Sequence, residues 1–107
     1  MRRENKLERC LRSAAALHRV SQRDVTDFLS AAGADGDPTR IVALAFDHFC
    51  REGGALVPNV KNLCFVVHAM ELVFGSYQRT EMSLRDLKKV LNGGGVDEIQ
   101  KWVEANV

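Results

Sequence analysis

Two pairs of residues in this chain are of types that bind metals or act as nucleophiles: His48 with Cys50, and Cys64 with His68. On a helix, Cys64 and His68 lie one turn apart on one face. His48 and Cys50 would approach from the preceding segment, completing the two-cysteine, two-histidine set of a tetrahedral zinc centre. The spacing argues the other way. Like ligands of structural zinc sites recur every two to four residues, whereas here each pair mixes ligand types and sits in an apolar run, where cysteine behaves as a small hydrophobe. No metal is expected, and the four residues are read as core.

A cysteine nucleophile needs a neighbouring base and an electropositive, accessible setting. Cys50, beside Arg51 and near His48, is the sole candidate, and no catalytic signature surrounds it. Nucleophile elbow, phosphate loop, dinucleotide fingerprint and zinc-protease helix are all absent. The run Gly93-Gly94-Gly95 has no preceding strand and no following lysine or serine in register, so it reads as a turn. The expectation is a protein that is not an enzyme and carries no cofactor.

Charge points to partners instead. The net charge is +1, yet residues 1–23 hold seven Lys and Arg against two Glu, and the remainder holds eight against twelve acidic residues. The result is a dipole with a basic end. Arg2, Arg3, Arg9 and Arg12 are candidate phosphate contacts for a nucleic-acid-binding regulator. No aromatic side chains interleave with them for base stacking, so a solvated basic face that steers an acidic protein partner is the preferred reading.

The elements that must position these groups are helical. Leu7, Cys10, Leu11, Ala14, Ala15, Leu17 and His18 form the apolar stripe of a first helix over Glu4–His18. Ser21 caps a second, with Asp24 at its third position, Val25, Phe28, Leu29 and Ala32 inward and Gly33 ending it. The loop Ala34-Asp35-Gly36-Asp37-Pro38 leads to a third, capped by Asp37 with Pro38 in its first turn, carrying Ile41, Ala43, Leu44, Ala45, Phe46, Phe49 and Cys50 inward. Gly53-Gly54 stops it and Pro58 marks the entry to the next. Between Leu63 and Phe74 only His68 and Glu71 are not apolar, so residues 59–77 read as a buried central helix fraying near Gly75. It is too short to span a bilayer. Ser83 is expected to cap a fifth helix through Leu84, Leu87, Val90 and Leu91. After Asn92-Gly93-Gly94-Gly95, a last one turns Ile99, Trp102 and Val103 inward. Nothing alternates with period two, so no sheet is expected.

Two segments echo each other at a constant offset of 62 residues, Val20 to Gly33 against Met82 to Gly95. Together with Ala45-Phe46 and Phe49, the turn Glu52-Gly53-Gly54 and Val57, the pattern resembles a degenerate EF-hand. The resemblance implies paired helical hairpins. It also implies no calcium, since a loop starting at Cys50 would place a single carboxylate, Glu52, among its ligands and Lys61 where the bidentate glutamate belongs.

The 107 residues are therefore read as a single all-α domain, a bundle of five or six short helices around a central hydrophobic one. Its expected role is that of a protein-interaction or adaptor module with a hydrophobic surface groove, in which Met70, Val73, Phe74 and Trp102 contact the partner. A terminal helix flanked by triple glycine also allows a swapped homodimer. Three unpaired cysteines suit a cytoplasmic or nuclear setting. Glu4 and Glu8 argue against a mitochondrial leader.

Overall fold

The computed structural model describes residues 5–33, 36–52, 55–56, 60–75 and 81–106, with side chains for 5–33, 36–50, 61–75 and 85–106. Arg2, Arg3, Ala34, Asp35, Gly53, Gly54 and Pro58 lie outside these residues, as do the side chains of Met82 and Leu84. The fold is all-α, its helices packed against one another around one cluster of buried side chains.

Helix α1 (Lys6–Leu17) starts at Asn5, whose side chain accepts from the Glu8 amide at 2.9 Å. It buries Leu7, Leu11, Ala14 and Ala15, the spacing of one helical face. Leu17, expected inside, is 70% exposed. It falls at the helix end, where the chain already turns. That turn is a Schellman arrangement: the Val20 amide donates to the Ala15 carbonyl at 2.8 Å, with Arg19 at φ 57°, a left-handed position usually held by glycine.

Ser21 caps α2 (Gln22–Ala32), its hydroxyl accepting from the Arg23 and Asp24 amides, and Gly33 follows at φ 83°. Asp37 accepts from the Thr39 amide at 3.0 Å at the start of α3 (Pro38–Cys50), where the missing proline amide costs nothing. The helix then gives way to a short hairpin where no sheet was expected. Strands β1 (Arg51–Glu52) and β2 (Ala55–Leu56) pair antiparallel, Arg51 opposite Leu56 and Glu52 opposite Ala55. Two residues per strand are too few to show as alternation.

Helix α4 (Val60–Phe74) packs against both α1 and α3 and buries Phe65, Val66, Val67, Ala69, Met70 and Val73. It is less enclosed than its composition suggests. Lys61, Cys64, Leu72 and Gly75 are exposed and His68 and Glu71 half-buried, a line three and four residues apart that faces away from the core.

Helix α5 (Glu81–Gly93) begins two residues before Ser83, which lies inside it and not at the expected N-cap position. It also runs through Gly93 before stopping, so the triple glycine ends it later than expected. Gly95 is the N-cap of α6 (Val96–Ala105), its amide donating to Glu98 Oε2 at 2.9 Å. Gly33 ends a helix whereas Gly95 begins one, so the two glycines matched at offset 62 hold different places. At Gly94 a side chain has no room: a Cβ would stand 2.8 Å from the Val90 carbonyl oxygen and 3.0 Å from Glu98 Cβ. Helix α6 then lies on α3. Trp102 meets Phe46 edge to face, ring centroids 5.9 Å apart, and Arg40 pairs with Asp97 at 2.6 Å.

Candidate functional site

The four metal-like residues do not converge. Cys50 is buried, and burial pushes its thiol up to about 12, so it is neutral near pH 7 and a poor ligand or nucleophile. Cys64 is exposed on α4. His48 is exposed on α3, its ring 5.3 Å from that of Phe28 and 4.8 Å from that of Phe49. Cys64 and His68 do share a face of α4, but that face is not the one turned to α3. Phe65 takes that place, its ring meeting Phe49 edge to face at 5.1 Å. Among the described residues no three His, Cys, Asp or Glu side chains are grouped to hold a metal ion.

His68 instead reaches α1. Its Nδ1 lies 3.1 Å from Nε2 of His18, and the two half-buried rings meet nearly perpendicular. Fifty positions separate these residues in the chain. Local spacing carries no trace of such a pair.

The residues expected to touch a partner lie mostly inside. Met70 is 0% exposed, Trp102 7% and Val73 9%, while Phe74 is half-buried against the core. Packing of α1 and α3 on α4 and of α6 on α3 encloses these side chains.

The expected phosphate contacts divide in the same way. Arg9 is exposed. Arg12 is half-buried and ties α1 to α2: its guanidinium donates to Thr26 Oγ1 at 3.0 Å, to Gln22 O and Oε1 at 3.4 Å and to Glu8 Oε2 at 3.4 Å. Gln22 Nε2 donates back to the Arg12 carbonyl at 3.0 Å. The arginine nearest the base of the basic stripe is thus held by the protein itself.

A groove lies between α2 and α3. It measures about 260 Å³ and is lined by Phe28, Ala31, Ala32, Leu44, Asp47 and His48. Each helix contributes residues at i, i+3 and i+4, which share a face and can line one side of a channel. Phe28 and Leu44 supply apolar lining, and the two alanines leave space that longer side chains would fill. Asp47 and His48 give the far wall polar groups. The sequence did contain a sign of this: Ala31-Ala32 follows the buried pair Phe28-Leu29 with small side chains where the helix face turns outward.

No protein-family model, curated protein or solved structure matches the chain. No helix among the described residues is long and apolar enough to cross a membrane.

Proposed function

We propose that the protein is an interaction module that receives apolar side chains of a partner helix in the α2/α3 groove. The observation that carries this reading is the facing of Phe28, Ala31 and Ala32 by Leu44, Asp47 and His48 across about 260 Å³. A concave apolar floor with a few polar groups on one wall is how small recognition sites combine burial with orientation. The volume suits an anchor of one or two side chains, so on this reading the groove is the centre of a larger contact. An amphipathic helix supplies such anchors at i and i+3 or i+4.

The exposed Lys6, Arg9, Arg19 and Arg23 make the α1 end basic, so an acidic partner would be steered toward the protein. Ala31 is the residue at which the reading is tested. It is exposed on α2, so Ala31→Arg fills the groove while keeping a good helix former at a solvent position. Partners retained by the parent protein should be lost from Ala31→Arg and kept by Lys101→Glu on α6. Equal retention by both variants would refute the groove.

A further inference from the structure

Beyond partner binding, we infer that His18 and His68 form a two-point site for a late first-row divalent cation, one that latches α1 onto α4. The geometry carries the inference. Their facing ring nitrogens are 3.1 Å apart, and two imidazoles at metal–nitrogen distances of about 2.0–2.1 Å with that separation subtend about 100° at the cation, within the range of neighbouring ligands in tetrahedral and octahedral sites.

In the cation-free pair one ring donates its N–H to the other. For both to present lone pairs, the donating ring moves that proton to its other nitrogen by exchange with water. That exchange moves a proton within one ring, with no net proton gained or lost. Both are half-buried, which leaves water and a cation a way in.

Imidazole selects zinc, nickel and copper over magnesium and calcium, which need oxygen ligands. No third His, Cys, Asp or Glu joins the pair among the described residues, so the remaining positions fall to water. The electrostatics are mixed. His18 is the C-cap of α1, where the helix dipole favours a cation. Lys61, whose Nζ reaches the Arg19 carbonyl at 3.4 Å, brings positive charge to the same end and lowers affinity.

A cation bound only by the folded protein stabilises it in proportion to its concentration above the dissociation constant. The latch is tested by thermal unfolding of the full chain in zinc, nickel or copper chloride, with magnesium chloride as control. The melting temperature should climb with zinc and return with chelator, and magnesium should do nothing. His18→Gln and His68→Gln, which keep hydrogen-bonding capacity, should each weaken the response about tenfold or more, because the remaining imidazole binds without a chelating neighbour. His48→Gln and Cys64→Ser should respond like the parent.

No response of the parent to any of the three metals would overturn the site. So would a response that survives both His18→Gln and His68→Gln, or one lost in Cys64→Ser. Should the histidine variants fold poorly, imidazole nitrogen NMR of the parent decides: zinc must shift the His18 and His68 signals and leave those of His48 in place. Unshifted His18 and His68 signals refute the latch. None of these outcomes bears on the α2/α3 groove.

Discussion

The ring of His48 stands 5.3 Å from that of Phe28, tilted by 48°, so that α2 and α3 touch beside the groove that both residues line. That contact makes the groove a property of two packed helices rather than of a loop. Its shape is set by the same core packing that holds the fold, and a partner would meet a preformed surface. Preformed sites avoid the ordering cost that a mobile segment incurs on binding.

Arg19 occupies a left-handed position at φ 57° where an L side chain is strained. Arg19→Gly is expected to stabilise the protein by about 1 kcal/mol, the steric cost of that conformation less the extra entropy of glycine in the unfolded chain. Chemical denaturation measures it, and a loss of stability would contradict the turn described between α1 and α2.

Adjacent glycines should respond in opposite directions. Gly94→Ala pushes a methyl against the Val90 carbonyl at the α5/α6 junction and should cost about 1–3 kcal/mol. Gly93 has open space and ends α5, so Gly93→Ala should raise stability by up to about 1 kcal/mol. The difference in melting temperature between the two variants reads this directly.

Arg9 and Arg12 lie one turn apart and are expected to have different jobs. Arg12→Ala removes the tie to Gln22 and Thr26 and should destabilise by about 1–2 kcal/mol, since several bonds to a charged group are lost at a half-exposed site. Arg9→Ala should leave the unfolding midpoint within about 0.5 kcal/mol of the parent. Equal effects in urea titrations would show that Arg12 holds no special place.

Helix starts at Ser21 and at Asp37-Pro38 were legible because capping is local chemistry, settled within three or four residues. The same local rule misled at Ser83, because a serine followed three residues on by aspartate also fits inside a helix that starts earlier, here at Glu81. Periodicity placed Cys64 and His68 on one face of α4 but said nothing of which neighbour that face meets. The choice between α1 and α3 is made by packing over the whole chain, and so is the pairing of His18 with His68. For the same reason Met70 and Val73, read as partner contacts, are buried, while the groove lies where Ala31 and Ala32 are too small to fill the space beside Leu44.

Cys50 gives a pH dependence of known sign. Burial raises its thiol from an ordinary 9.0 to about 12, so the folded state keeps a proton that the unfolded state loses. The associated stability is present in full below pH 9 and is lost as the pH rises from 9 toward 12. The midpoint for urea unfolding should therefore fall more steeply over that window in the parent than in Cys50→Ala. In the native protein at pH 8, thiol reagents should label the exposed Cys64 well before Cys50.

The most direct measurement of the central claim is photo-crosslinking from inside the groove. A photoreactive amino acid is placed at Ala31, and separately at Glu104 on the exposed side of α6, in the full chain within cells. A partner seated between α2 and α3 predicts a discrete adduct from position 31, absent from position 104 and suppressed when Leu44→Lys adds charge to the groove lining. Adducts identical from both positions, or none from position 31, would contradict the groove as the site of recognition.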